Sequence, residues 1–446
     1  MTGYGDALKG LHRLERFGIR LGLDNVRAYC AAADHPERAY PSFHVAGTNG
    51  KGTTAACLAA LAARHGLKTG LYTSPHVIEF RERIRVDGTP IGAENVAAGW
   101  DRIRDFVIGR DMTYFEATTL IALDHFAIER VDLAIIEVGL GGRLDATNVV
   151  TPEAAIVTNI ARDHEAHLGQ ELAAIAREKA GIFKSAIPAL VGDAGPPAVR
   201  AALRAAGAEA GATVRFRPDE VRCVVRRVSR AETVFDYASA RLRARGLRLS
   251  MAGAHFAADA ALALWAWEVC ATAPLEAEAV REALADVAPA GRSQWQVVDG
   301  VSVVFDVAHN PAAVRCLATA LEEMDARRSA VVIGVLADKD WPAMLDALEP
   351  VAAHVWLCGL ETARPERRLT GLQAAPELAK RPWVRWAETV EQGLTKAHAS
   401  VAAKESSQIV VTGSFHTVGE ALLAQGLAEA GEPYVPGTQA PAGAPS

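Results

Sequence analysis

No CxxC pair occurs in this sequence, and its six cysteines (Cys30, Cys57, Cys223, Cys270, Cys316 and Cys358) are scattered. That spacing excludes a disulfide frame or a cysteine zinc site and reads as reduced thiols in a cytosolic protein. No apolar run approaches the roughly 18 residues of a membrane span, so none is expected. The opening stretch MTGYGDALKGLHRLERFG is charged and lacks the apolar core of a signal peptide. A basic excess is missing too. The formal net charge is −6, which argues against a large nucleic-acid footprint. There is no internal repeat. What is there is a chain of 446 residues, 50% hydrophobic and 22% charged, too long for one ordinary core. A cytoplasmic globular protein of two domains is expected.

Short Val/Ile-rich runs alternate with helical stretches. Strands are expected at 42–46, 131–138 (VDLAIIEV), 154–160 (AAIVTNI), 301–305, 330–335, 354–357 and 408–412, and a helix at 53–65. Buried strands spaced by helices imply parallel α/β sheets. The segment 202–249 is rich in arginine and valine with polar alternation, which predicts antiparallel strands at a sheet edge. A helical stretch stops at Pro and Gly near PAGRSQWQVV (289–298), and a strand follows. The expected organisation is a domain at 1–290, a linker at 291–298, a second domain at 299–434 and a disordered Pro/Gly/Ala-rich tail at 435–446.

HVAGTNGKGTT, residues 44–54, sits between an expected strand and an expected helix. Gly47, Gly50 and Gly52, interleaved with Thr48 and Asn49, let backbone N–H groups turn toward an anion. The helix N-terminus adds favourable partial charge. Lys51 can reach β- and γ-phosphates, and Thr53 or Thr54 can face a magnesium ion. The general phosphate-loop pattern is not strictly met, because Gly52 separates Lys51 from Thr53 and Val45 stands where a glycine is usual.

Further segments follow in order: LYTSPH (71–76), TYFEATT (113–119), EVGLGGRLDATN (137–148), DHEAHLG (163–169), REKAGI (177–182), AGR (290–292), DVAHNP (306–311), GVLADKD (334–340) and VTGSFHTV (411–418). Together with GTNGKGTT they resemble the folylpolyglutamate/dihydrofolate synthases, the folate branch of the Mur-type ligases, over nearly the whole chain. The resemblance implies an N-terminal phosphate-loop α/β domain, a smaller Rossmann-like α/β domain and an active site in the cleft between them. It implies ATP-dependent ligation of glutamate to dihydropteroate or reduced folates through an acyl phosphate, by a monomer with magnesium (two ions) and with potassium as a further cation. Such chemistry demands charge neutralisation and alignment more than a nucleophilic side chain.

By resemblance, Ser74, Glu137 and His164 are magnesium ligands, and Lys179 carries a carbamate that turns a cation into an anion able to hold a second ion. Arg292 and Asp306 contact ATP, the first by clamping phosphate. His309 helps near the γ-phosphate or orders its turn. Thr113, Tyr114, Phe115 and Glu116 form a substrate segment, with two rings to stack on a pterin and a carboxylate for its edge. Ile19, Arg20, Leu21 and Leu144 add contacts, partly by backbone. Lys339 and Asp340 read as interdomain or capping residues.

Some positions depart from the family pattern. Phe256 and Asp259 replace a glutamine and an adenine-contacting asparagine, Val307 replaces a glycine, and His167 replaces a tryptophan. Asp259 can accept but does not donate as an amide does. Two rival readings are weaker. Only 46 residues precede Gly47, short of the nucleotide-sugar domain of peptidoglycan Mur ligases. GLGGRL after residue 138 has Leu144 where a dinucleotide fingerprint needs Gly or Ala.

Overall fold

The structure is a computed structural model that describes residues 2–431 apart from residue 194 and residues 271–274. The tail expected to be disordered and the His167 side chain lie outside the described residues.

Eight strands build the first sheet: β1 (Ser42–Ala46), β2 (Thr69–Tyr72), β3 (Ile84–Val86), β4 (Thr89–Pro90), β5 (Leu133–Glu137), β6 (Ala154–Val157), β7 (Pro188–Val191) and β8 (Thr213–Phe216). Their order is β4-β3-β2-β5-β1-β6-β7-β8. Every pairing is parallel except those of β3 with β2 and β4. The central strands β1, β5 and β6 are buried along their whole length, which is why they read as unbroken apolar runs.

The segment 202–249 reaches an edge of this sheet only through β8, which pairs parallel with β7, and its antiparallel strands lie in another sheet. It finishes the helix Pro197–Ala210, adds β8, and then makes a separate antiparallel sheet of β9 (Arg222–Val228), β10 (Thr233–Ala238) and β11 (Arg243–Leu249). Alternation on β10, whose Thr233, Phe235 and Tyr237 are buried, packs this sheet on the helix Ala254–Cys270. That helix is apolar almost all round and correspondingly sealed. Of its two buried acids, Asp259 and Glu268, the second accepts from Tyr237 Oη at 2.7 Å and Ser239 Oγ at 2.9 Å.

The third sheet holds β12 (Gln294–Val298), β13 (Val301–Phe305), β14 (Ser329–Gly334), β15 (Ala352–Cys358), β16 (Val384–Ala387) and β17 (Ile409–Thr412), in the order β12-β13-β17-β14-β15-β16. Only β12 runs antiparallel to its neighbour. Much of the segment expected as a linker is therefore strand β12. The two parallel sheets point the carboxyl ends of their strands into one shared cleft, the ordinary ligand position in open α/β sheets.

Candidate active site

The cleft has a volume of about 930 Å³. Its floor is the turn from β1 into the helix Lys51–Arg64, which begins two residues before the sequence predicts. Two glycines make that turn possible. Gly47 has φ of +145°, and a Cβ there would strike Thr158 Oγ1; Gly50 has φ of +81°, and a Cβ there would lie 2.3 Å from Asp259 Oδ1. Gly52 has ordinary helical geometry and contributes space instead. A Cβ at that position would face Arg292 Nη2 at 3.6 Å and the Glu137 carboxylate at 3.7 Å. The loop is fixed from below by the segment after β6. Asn49 N donates to Asn159 Oδ1 at 3.0 Å, and Thr158 Oγ1 donates to Asn49 O at 2.6 Å. Thr53 borders the cleft, whereas Thr54 Oγ1 is buried without a hydrogen-bond partner.

Around this loop stand the side chains that end neighbouring strands. Glu137, at the end of β5, is 3% exposed and accepts from Ser74 N at 3.0 Å. Burial raises its carboxyl pKa against the opposing charges of Lys51, Arg292 and Arg83. Lys179, on the helix Leu172–Ala180, is 5% exposed and donates from Nζ to Gly47 O at 2.8 Å. Burial, with the charge of Lys51 beside it, lowers its ammonium to about 7. His164 is depressed to about 3, chiefly by burial and then by Lys339, so its imidazole is neutral and free to act as a ligand.

The two domains meet on Asp163. Its carboxylate receives Asn310 Nδ2 at 3.2 Å, faces His309 Nε2 at 3.3 Å, and pairs with the Lys339 ammonium. Burial opposes ionisation there, yet the His309 hydrogen bond and the charges of His309, Lys339 and His164 outweigh it and hold the carboxyl well below its usual range. Asn310 also donates to Asn49 Oδ1 at 2.8 Å and caps the helix Pro311–Glu323 by accepting from Ala313 N at 2.9 Å. Asn310 thus ties the phosphate loop to the second domain. His309 Nδ1 meets Val307 O at 2.9 Å, which orders its turn. Asp306, at the end of β13, accepts from Ser293 N at 2.8 Å and Ala308 N at 2.9 Å, and burial raises its pKa. The Arg292 guanidinium lies 5.4 Å from the Phe415 ring centre.

The cleft has two arms. One is walled by Phe256, Asp259, Leu262 and Cys316, the other by His12, His76, Arg83 and Tyr114. The Tyr114 ring stacks on His12 with centroids 5.9 Å apart and lies under the Arg83 guanidinium.

Residues 45–266 match the Mur ligase middle domain, and residues 291–415 match the Mur ligase glutamate ligase domain. The dihydrofolate synthase/folylpolyglutamate synthase of Escherichia coli (strain K12) is 35% identical over 416 residues, 92% of this chain and 93% of that protein. The chain belongs to the dihydrofolate synthase/folylpolyglutamate synthase family of Mur-type ligases. A Mycobacterium tuberculosis folylpolyglutamate synthase structure complexed with ADP and AMPPCP superposes with a TM-score of 0.86 at 33% identity, covering 94% of this chain and 99% of that one. A bifunctional folylpolyglutamate synthase/dihydrofolate synthase with Mn, AMPPNP and L-glutamate bound gives a TM-score of 0.81 at 32% identity, covering 95% and 98%.

Set against the synthase pattern, the cleft gathers Gly47 to Thr53, Ser74, Tyr114, Glu137, His164, Lys179, Asp259, Arg292, Asp306 and His309. Other expected positions fall elsewhere. Glu116 Oε2 accepts from Thr113 N at 2.7 Å and from Thr113 Oγ1 at 2.8 Å, so this carboxylate closes a capping box on the helix Tyr114–Glu129 instead of facing a pterin edge. Phe115 packs on Tyr72 and close beneath Gly139, half-buried against the core and not among the residues that line the cleft. Ile19 and Leu21 are exposed, Arg20 donates to Asp111 O at 3.2 Å, and Gly22 N donates to Leu144 O at 3.2 Å. These segments adjoin each other outside the cleft wall. Lys339 is interdomain as expected, and Asp340 caps the helix Trp341–Leu348. Sequence does not single out Asp163 or Asn310. An acid before a histidine and an asparagine before a proline read as turn residues until the second domain is seen to close on them.

Proposed function

We propose that this chain ligates L-glutamate to the carboxylate of dihydropteroate and of reduced folates, consuming ATP and releasing ADP and phosphate. The observation that carries the reading is the phosphate loop at the bottom of a cleft whose opposite wall, with His309 and Lys339, comes from the glutamate ligase domain. Phosphate oxygens on the loop meet backbone N–H groups and Lys51, with Arg292 above them. A substrate carboxylate in the arm of Tyr114 attacks the γ-phosphorus to give an acyl phosphate and ADP. The glutamate amine then attacks the acyl carbon, and phosphate leaves. Holding three reactants in line between two domains supplies the effective concentration that the uncatalysed reaction lacks. The second domain closes that line through its grip on Asp163.

Glu137, the Ser74 hydroxyl and neutral His164 fit a hard divalent cation completed by phosphate oxygens. Among the described residues no three carboxylate, histidine or cysteine side chains converge as a ready metal cage. A magnesium ion held by these residues would screen the charge between the phosphates and the incoming carboxylate. Lys179 suits carbamylation, since an amine lowered to about 7 has a free lone pair for CO2 near neutrality. As a carbamate it would join the set that holds a second ion. The proposal extends to a cytoplasmic monomer that uses potassium as a further cation and has no nucleic-acid or membrane partner. Among the described residues no helix is long and apolar enough to cross a membrane.

The test is ADP release by purified protein with ATP, magnesium and glutamate, adding dihydropteroate or tetrahydrofolate. Release with both is expected. Release with one alone would narrow the activity to that acid, and release with neither from folded protein would overturn the reading.

A further inference from the structure

The Tyr114 arm of the cleft is bridged from one domain to the other. Arg364, in the loop after β15, donates from Nε to Glu15 Oε2 at 3.1 Å and from Nη1 to Glu15 O at 2.9 Å. Glu15 directly follows the helix Tyr4–Leu14, and its other carboxylate oxygen meets His12 Nδ1 at 3.1 Å. His12 in turn stacks on Tyr114. Glu15 and Arg364 both line the cleft. These contacts tie Arg364 to the surface read above as the seat of the acid substrate, away from the phosphate loop, and the inference rests on that reading. The arm is also short of anions. Arg83 is 8% exposed, yet its guanidinium makes one hydrogen bond, to His76 Nδ1 at 2.8 Å, and no described carboxylate pairs with it. A buried guanidinium without an acid leaves the arm attractive to substrate carboxylates.

We propose that Arg364 recognises the α-carboxylate of a glutamate already attached to the acid, and that Glu15 occupies the guanidinium until that carboxylate arrives. The pair is partly exposed, 40% for the arginine side chain and 30% for the glutamate, and among the described residues Arg364 Nη2 has no partner. An ion pair this open to water contributes little, so a substrate carboxylate can displace Glu15 at small cost. The neighbouring Arg367 is not available in the same way, because Asp338 holds it at 2.9 Å. The planar fork of arginine matches a carboxylate with two hydrogen bonds. A reduced folate carries its α-carboxylate a few bonds from the one that reacts, whereas dihydropteroate has the reacting one alone. Arg364 therefore favours the acid that has already been extended. The second domain reads the tail of the substrate while the first holds its ring.

The test compares kcat/KM for tetrahydrofolate and for dihydropteroate by ADP release, with acid and glutamate varied in turn, in the wild type, Arg364→Ala and Glu15→Gln. Both variants break the same bridge. A contact that merely holds the domains together shifts the tetrahydrofolate-over-dihydropteroate preference the same way in both, or in neither. A carboxylate receptor gives opposite signs. Arg364→Ala should lower the preference about tenfold or more, through loss of a charge-assisted contact. Glu15→Gln should raise it about two- to fivefold, because the competing anion is gone. Preferences that move together or stay constant overturn the proposal. An Arg364→Ala effect confined to a raised KM for L-glutamate, equal with both acids, also overturns it and assigns the guanidinium to the incoming amino acid. Wild-type turnover with dihydropteroate alone overturns it while leaving the ligase reading standing. Turnover with neither acid overturns both.

Discussion

Replacing Lys179 by methionine should make the protein more stable and inactive. The amine is 5% exposed, and its one hydrogen bond is to Gly47 O. Lowering an ammonium from 10.5 to about 7 on folding corresponds, at pH 7, to about 4 kcal/mol of lost stability. Methionine of similar length removes that term and forfeits a hydrogen bond of about 1 kcal/mol, a net gain of about 3 kcal/mol. The pH dependence has a definite sign. Between about 7 and 10.5 the unfolded chain binds more protons than the folded one, so wild-type stability rises with pH through that window and is flat below it. By pH 9 the electrostatic part of the gap shrinks to about 2 kcal/mol. Urea unfolding of both proteins in CO2-free, metal-free buffer at pH 7 and pH 9 measures this, following the transition of the first domain. Added bicarbonate should narrow the gap by stabilising the wild type as its carbamate. A variant less stable than wild type at pH 7, or a gap that ignores pH, would refute the assignment of a desolvated amine. Retained turnover would refute its part in the chemistry.

Lys51→Ala should lower kcat by about 10²–10³-fold or more, since it removes a positioned cation from developing phosphate charge; near-normal turnover would move the phosphates elsewhere. Asp163→Ala leaves the buried Lys339 ammonium unpaired and releases His309 and Asn310, so a loss of about 3–5 kcal/mol is expected. Small-angle scattering should also show a more open particle, and an unchanged profile would mean that Asp163 does not hold the domains together. Arg230, on the β9–β10 turn, donates to Gln408 Oε1 at 2.7 Å and Ser302 Oγ at 3.1 Å and lies over Trp295, and none of these four residues lines the cleft. Arg230→Ala should cost about 1–2 kcal/mol in thermal unfolding while leaving KM and kcat within about twofold. A large kcat effect would show that this back contact also governs closure.

The sequence is most legible where one local rule decides the outcome. Val- and Ile-rich runs became buried parallel strands because nothing else satisfies a stretch that is apolar on both faces. The glycine loop turns as the sequence predicts because Gly47 and Gly50 occupy backbone regions closed to other residues. It is least legible where two rules compete for one side chain. TYFE offers rings and a carboxylate that would serve a pterin equally well, but Thr113 with Glu116 three residues later is also a capping box, and the buried helix start claims the carboxylate first. Tyr114 and Phe115, being adjacent on a helix, point about 100° apart, so only the first ring lines the cleft although both pack against the core.

The interdomain contacts were illegible for a deeper reason. Asp163 and Lys339 are 176 positions apart, and neither local pattern predicts a partner at that separation. Each would be an ordinary surface charge if its domain stood alone. Only when both parallel sheets aim their carboxyl ends at one cleft do the loops after β6, β13 and β14 meet. Desolvation then makes the pairing obligatory, since Asp163 unpaired would be a buried anion and Lys339 a buried cation. The same desolvation depresses Lys179 and raises Glu137, Asp259 and Asp306. Closure of the two domains and the tuning of the site are therefore one event. A substitution that opens the cleft should return these groups toward ordinary titration before it removes a single catalytic side chain.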